Sequence, residues 1–426
     1  MQAILDFLVG QIFGNAAVLF GLVSLVGLLL LRKPIEDVVM GVTKTIIGFL
    51  ILLAGAMTLS NICTPIASWV GTILGVQGVQ PNMWVVLSLG MSQYGREVGL
   101  ALTFGFLLNI LLARVLPWKG INVTGHIMLL WAAWVTTALA GLGYTGATLV
   151  LTATIACGVS YWFFVVASRP FMKDRITSEW ALCMPNITGI ALTSWLSRLI
   201  GDPEQSCEDI PVSDRFAWVR DSVVSIAIFG SIIWLIVGLI AGREAVQAFS
   251  GDQNWIIYLL LLGAQFSAGI AVVLFGVRML IAEIVPAFNG IAKRLLPGSI
   301  MGLDYPTVFT FAPTAVFVGF FCKLLGAGVG TLLQAALGFP VVVLPSVFMD
   351  FWDGALMGVF ADRFGGRRAA FLVPFVLGIG IQLLWGLSYP LTGSVLTGNA
   401  VCMDYPDCGT FGLVFLWIAR FFGGGG

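Results

Sequence analysis

The chain of 426 residues carries one histidine, His126, and it opens an apolar run, "GHIMLLWAAW". Three other ionisable sites interrupt apolar sequence: Arg96 and Glu97 in "MSQYGREVGLAL", Glu283 in "RMLIAEIVPAF", and Asp304 in "PGSIMGLDYPTVFTFAPT". Inside a bilayer such a side chain costs about 2.5–3.5 kcal/mol at the centre of a span on insertion scales, so each is a functional candidate. Most also have a plain structural reading. Arg96 and Glu97 mark a span end or pair with other charges, Glu283 pairs with Arg278, and His126 bonds a neighbouring carbonyl. Asp304 differs. It lies between Pro297 and Pro306 among glycines, which predicts an irregular backbone where carbonyls and a carboxylate face a cavity.

A second polar cluster, "CMPNITGIALTSW" (Cys183–Trp195), is broken by Pro185, Asn186 and Gly189. It reads as a hairpin or re-entrant tip with Asn186 and Thr188 as hydrogen-bonding groups; a short amphipathic helix on the membrane surface is the alternative. Aromatic residues make up 12% of the chain, including 14 Trp. Uncharged polar groups and aromatic faces together suit a polyhydroxylated ligand. Trp84, in "VQPNMWVV", fits that role and equally fits an anchor at the membrane interface.

Composition sets the medium. Hydrophobic residues reach 59%, charged residues 10%, and mean hydropathy is +1.00. Soluble domains carry about 25% charged residues, so the chain is expected to be an all-α polytopic membrane protein. At about 20 residues per span its length allows roughly ten to twelve. Twenty-one basic and 21 acidic residues balance, which gives no reason to expect a nucleic-acid partner. "MQAILDFLVGQIF" has no basic leader and reads as mature sequence. No Cys-x-x-Cys occurs among seven cysteines. Cys157 and Cys322 read as small core residues, while Cys402 and Cys408 form a disulfide if their loop, "VCMDYPDCGT", is periplasmic. No metal or cofactor is expected, and without a Gly-x-x-x-x-Gly-Lys-[Ser/Thr] loop or a sizeable polar domain, ATP-driven pumping by this chain is excluded.

Clean apolar runs fall at about 12–31, 37–60, 98–116, 122–141, 145–168, 219–241, 255–277, 331–349, 369–388 and 410–422. Weaker segments, broken by Gly, Pro or polar residues, fall at 62–95, 180–200, 283–303 and 305–330. Clean spans mixed with broken ones are typical of transporters. Arg32 and Lys33 follow the first span, and residues 45–95 hold no charge at all. The positive-inside rule therefore puts the N-terminus outside and the charge-free turn on the outer face. The charged stretch 200–221 divides the chain near its middle, between possible structural repeats at about 10–200 and 215–426. "Gly-x-x-Lys" at Gly41–Lys44 and Gly290–Lys293 is a faint echo between them.

The long block "GVRMLIAEIVPAFNGIAKRLLPGSIMGLDYPTVFTFAPTAVFVGF" (Gly276–Phe320) strongly resembles the ascorbate-type membrane subunit, enzyme IIC, of the bacterial phosphotransferase system. "LLLRKPIEDVVMGVTKTIIGFLILLAG" and "TGHIM" resemble the same family, and the likeness runs from near residue 15 to near 390. The resemblance implies a homodimer in the bacterial inner membrane with about eleven spans per protomer, split into a dimerisation domain and a sugar-binding core. It also implies a cytoplasmic IIB protein, itself charged by IIA, that transfers phosphoryl from its cysteine to the sugar; this chain has no phosphoryl carrier of its own. Carried over by motif, the family's binding histidine and aspartate fall on His126 and Asp304, and its glycine on Gly55. The following serine is Ala56 here, and the glutamine after the histidine is Leu130. A His-Gln pair aligns with Thr188 and Gly189, and an aromatic with Trp84. These departures remove charge-assisted contacts of about 1.5–3 kcal/mol each, so the expected substrate is ascorbate or a related small sugar or polyol, neutral ones included. Two readings compete: an ion-coupled secondary transporter with Asp304 or Glu283 as proton carrier, and a sensor that binds without transport.

Overall fold

Where apolar sequence is broken by Gly and Pro, the backbone needs hydrogen-bond partners that lipid does not supply. The computed structural model, which describes residues 16–74, 78–173, 175–210, 222–339, 341–391 and 401–423, meets that need with short strands. In the first half helices α1 (Ala16–Leu30) and α2 (Ile35–Leu74) lead to strand β1 (Gly78–Pro81) and helix α3 (Met83–Val115). Strand β2 (Gly120–Asn122), helices α4 (Gly125–Gly141) and α5 (Gly146–Lys173), strand β3 (Ala181–Leu182) and helix α6 (Ile187–Ile200) follow. The second half runs α7 (Ser222–Ala241), α8 (Arg243–Ser250), α9 (Trp255–Leu295), β4 (Ile300–Leu303) and α10 (Pro306–Phe309). It closes with α11 (Pro313–Ala336), β5 (Val342–Val343), α12 (Val347–Ser388), β6 (Val401–Cys402) and α13 (Phe411–Gly423).

The chain is mostly helical, as a polytopic membrane protein must be. Among the described residues four helical stretches are long and apolar enough to cross a membrane: Gln93–Val115, Gly146–Lys173, Pro313–Ala336 and Met349–Ser388. Helices α1, α2 and α7–α9 pack mainly on one another, whereas α3–α6 and α10–α13 pack around the strands.

Among the described residues six strands of two to four residues form two sheets, ordered β5-β1-β6 and β2-β4-β3, with every pair parallel. Each sheet takes its centre from one half of the chain and both edges from the other. Outer backbone groups of three edge strands, β2, β3 and β5, are met by buried side chains. Asn109 of α3 donates to the Gly120 carbonyl and accepts from the Asn122 N–H, both at 3.0 Å. Ser168 of α5 donates to the Leu182 carbonyl at 2.6 Å and accepts from the Leu182 N–H at 3.0 Å. For β5, Gln334 of α11 accepts from the Val343 N–H at 2.7 Å, while Gln382 of α12 donates to the Val343 carbonyl at 2.6 Å.

Several expectations change. The apolar run 331–349 is not a span: it holds the end of α11, a turn at Gly338 (φ 70), strand β5 and the start of α12. Most of 305–330, expected to be broken, lies instead in the continuous helix α11, and α9 runs unbroken to Leu295. Glu283 pairs with Lys44 of α2 at 3.5 Å rather than with Arg278; a spacing of five puts those two residues on different helix faces. The Gly-x-x-Lys echo stands near the start of α2 but near the end of α9. Arg96 and Glu97 follow a break at Tyr94 and begin the Gln93–Val115 stretch, a span end. Cys402 and Cys408 are free thiols, not a disulfide; both are buried within the protein, on a strand and a following 3-10 turn.

The central loop is anchored on α11 and α12. Glu208 accepts from the N–H groups of Thr314 and Ala315 at 2.7 and 3.2 Å, a carboxylate at the positive end of a helix. Asp362 accepts from the Ser206 hydroxyl and the Cys207 N–H at 2.7 and 2.6 Å. Burial, and the carboxylate of Asp362, push the Cys207 thiol up from its ordinary range. Residues 211–221 of the loop lie outside the described residues.

Replacing Asn109 with Leu strips two backbone groups of their partner. Each orphaned group costs about 1–3 kcal/mol, so the variant is expected to unfold at clearly lower temperature in detergent. An unchanged midpoint would show that the β2 edge does not depend on this amide.

Candidate functional site

All six strands end beside polar or charged residues: Asn82 after β1, Thr124 and His126 after β2, Asn186 after β3, Asp304 after β4, Ser346 after β5 and Asp404 after β6. Parallel pairing places β2, β3 and β4 edge to edge, so the ends that carry His126, Asn186 and Asp304 converge. Further bonds fix the turns. Asn122 accepts from the Thr124 N–H at 3.0 Å and donates to the Cys183 carbonyl at 3.4 Å, and Thr124 donates to the Gly302 carbonyl at 3.3 Å. Tyr161 of α5 donates to the Met128 carbonyl at 2.7 Å and so ties down the first turn of α4.

His126 and Asp304 meet. Nε2 of the imidazole stands 3.1 Å from Oδ2 of the carboxylate, and the two residues are only 8% and 6% exposed. Asp304 Oδ1 accepts from the N–H of Tyr305 at 2.6 Å, and its carbonyl accepts from the Thr307 hydroxyl at 2.5 Å. His126 Nδ1 is buried without a protein partner, so it is a group available to a ligand. The expected convergence of these residues, read from two distant motifs, is what the strands produce.

The other expected residues divide. Asn186 belongs to the same centre, where its amide nitrogen donates to Asp353 Oδ1 at 2.8 Å and to the Tyr305 hydroxyl at 3.2 Å. Gly189 lies against Asn186 and Met357, where a Cβ would collide with the Asn186 side-chain oxygen; its bareness sets how Asn186 points. Thr188 faces another way, its N–H donating to Asp407 at 3.0 Å and its hydroxyl 2.9 Å from that of Thr410. The start of α6 is thus buried inside the protein rather than laid on a surface. Gly55 is buried on α2, with Ala56 beside it in the chain, and Trp84 occupies the first turn of α3 directly after β1.

Sequence reasoning passed over a charged group next door. Lys323 of α11 lies 2.5 Å from Asp350 and 3.7 Å from Asp353, both on α12, with all three side chains almost entirely buried. On its other side is the ring of Trp385, 5.6 Å from the ammonium. The Tyr305 hydroxyl donates to Asp353 at 2.8 Å, which links this group to Asp304 through one residue. A lone lysine in "VGFFCKLLGAG" and an Asp-x-x-Asp in "VFMDFWDGAL" were the signals, by the same cost argument that selected Asp304.

Two buried ionic pairs, bridged by Tyr305 and Asn186, thus lie at the ends of strands inside a helical membrane protein. The chain matches the family described as "PTS system sugar-specific permease component" (EIIC-GAT) over residues 11–406. It belongs to that family. Among curated proteins the chain is similar to the "Ascorbate-specific PTS system EIIC component" of Mycoplasma pneumoniae (strain ATCC 29342 / M129 / Subtype 1). The two are 26% identical over 419 residues, which cover 85% of this chain and 63% of the relative. The chain therefore spans just under two thirds of the length of that EIIC relative.

Removing the Tyr305 hydroxyl tests the bridge. Tyr305→Phe keeps the N–H that serves Asp304 but takes a donor from a buried carboxylate, a loss of about 1.5–3 kcal/mol for a bond to a charged group. Thermal unfolding of the purified variant should show it. A variant as stable as wild type would mean that the link does not form.

Proposed function

We propose that this EIIC-family chain is the translocating membrane subunit of a phosphoenolpyruvate-dependent phosphotransferase system. It carries ascorbate or a related small sugar or polyol to the cytoplasmic face of the bacterial inner membrane. A separate IIB protein, supplied by IIA, phosphorylates the sugar there. The reading includes about eleven spans per protomer, a homodimer, a core built around the two sheets, and a dimerisation domain formed by α1, α2 and α7–α9. It also includes two structural repeats, at about 10–200 and 215–426; the strand order supports this, since the first strand of each half lies between the second and third strands of the other.

The observation that carries the proposal is the buried His126–Asp304 pair with His126 Nδ1 unpartnered. A carboxylate oxygen accepts from a sugar hydroxyl, and an imidazole nitrogen donates or accepts. The pair sums to zero or negative charge in either protonation state of His126. That balance favours a neutral polyhydroxylated ligand over an anion such as ascorbate, which finds no spare cation in this pair. Asn186 and Tyr305 then orient the pair from behind, while Gly55, Ala56, Trp84, Thr188 and Gly189 shape the surroundings.

His126→Ala is expected to leave expression and dimer assembly intact and to lower sugar uptake at least tenfold in cells with a working phosphorelay. Uptake should survive a protonophore and stop when IIB is deleted. A panel of ascorbate, pentitols and hexitols in a thermal-shift assay should pick out the ligand, because a true ligand raises stability by mass action. Full uptake by the His126→Ala variant would remove the pair from the binding site.

A further inference from the structure

Asp404, the second residue after β6, is 1% exposed. Neither of its carboxylate oxygens has a hydrogen-bond partner; its own and Met83's backbone N–H groups lie nearby. It lies within electrostatic reach of Asp353 and Lys323, which makes the group beside the sugar site one lysine against three aspartates. Full ionisation would leave two uncompensated negative charges away from water, an arrangement a protein interior does not sustain.

The donors decide which carboxylate gives way. Asp350 takes the ammonium of Lys323 at 2.5 Å. Asp353 takes the Tyr305 hydroxyl and the Asn186 amide, both at 2.8 Å, with Lys323 3.7 Å away. Asp407, also buried, takes the N–H groups of Ile187 and Thr188 at 2.6 and 3.0 Å and the Thr410 hydroxyl at 3.3 Å. Asp304 has the His126 imidazole and the Tyr305 N–H. Each of these carboxylates accepts at least one bond from a cation, a hydroxyl or an N–H group; the oxygens of Asp404 accept none. The hydroxyl-bearing neighbour, Tyr405, is buried and lies within reach of Asp404, Asp304 and Asp353, and the Cys402 thiol beside it is buried too.

The geometry points to Asp404 as a proton-binding site, where a proton taken from water bonds to one carboxylate oxygen and brings the Lys323–Asp350–Asp353–Asp404 group to a single net negative charge. Among the described residues no set of three or more His, Cys, Asp or Glu side chains is placed to hold a metal. The site is linked to the sugar-binding candidates by two routes. Tyr305 donates its N–H to Asp304 and its hydroxyl to Asp353, and Asn186 bonds both Tyr305 and Asp353. A ligand that shifts Asp304 therefore shifts the donors on Asp353, and with them the affinity of Asp404 for its proton. By linkage the proton alters ligand affinity by the same factor.

The test needs no sugar, so its failure is separate from failure of the transport reading. Infrared spectra of the full chain in lipid nanodiscs at neutral pH should contain the carbonyl stretch of a protonated carboxylic acid. That band should disappear in Asp404→Asn and persist in Asp304→Asn. If Asp404→Asn does not fold, Asp404→Glu should move the band instead of removing it. Absence of the band from wild type, or its survival unchanged in the Asp404 variant, overturns the proposal. So does a rise in unfolding temperature when sodium chloride replaces choline chloride, if Asp404→Asn abolishes that rise, since the occupant would then be a cation.

Discussion

Every broken segment of this protein has to satisfy its backbone without water. The two three-stranded sheets are the answer, and the candidate site exists because of them. A strand of two to four residues is too short to be stable alone. Here each central strand, β1 or β4, has partners on both sides, and the β2, β3 and β5 edges are capped by Asn109, Ser168, Gln334 and Gln382. Those four side chains belong to α3, α5, α11 and α12, so the sheets also fix where the helices stand. The candidate residues then follow the strand ends at offsets of one to four residues. Removing the sheets would leave His126 and Asp304 on unrelated turns.

The buried charges obey the same rule of complete pairing. His126 with Asp304 and Lys323 with Asp350 are pairs whose cost of dehydration is offset by close contact and by added donors such as Tyr305. Ion pairs of this kind contribute little net stability. Their presence in a chain with 59% hydrophobic residues is therefore better explained by recognition than by folding. The Asn186 amide and the Tyr305 hydroxyl both end on Asp353, and they join the two pairs into one network.

Much of this was legible in the sequence, for identifiable reasons. Composition fixed the medium, and the cost of a buried charge singled out His126 and Asp304, which do meet. The break in Cys183–Trp195 was legible from Pro185, Asn186 and Gly189, and α6 starts only at Ile187. The strands were not, because β5 is Val-Val and β3 is Ala-Leu, dipeptides with no period to detect. Their partners come from the other half of the chain, a distance no local pattern encodes. The apolar run 331–349 misled for this reason: hydrophobicity alone does not separate a span from a helix end, a strand and a helix start. Lys323 and Asp350 went unread: the first lies in 305–330, read as a broken segment but mostly continuous helix, and the second at the start of α12. Asp404 and Asp407 were hidden by a different reading, since two cysteines nearby suggested an exposed, oxidised loop.

The interleaving of the sheets limits how such a carrier moves. Separating the two halves would pull β1 from between β5 and β6, and β4 from between β2 and β3, and would expose unpaired backbone where each lost bond is expensive. Internal opening along that seam is therefore disfavoured. Helices α1, α2 and α7–α9 share far fewer contacts with the sheet-bearing group than they make among themselves. Sliding between the two helix groups breaks no strand pairing, and chiefly apolar side chains change neighbours. If the site faces each side of the membrane in turn, the low-cost route is for the sheets, their helices and the bound ligand to travel as one body against the α1–α2–α7–α9 frame. The Lys44–Glu283 pair, which joins α2 to α9, lies inside that frame and would be undisturbed by the motion.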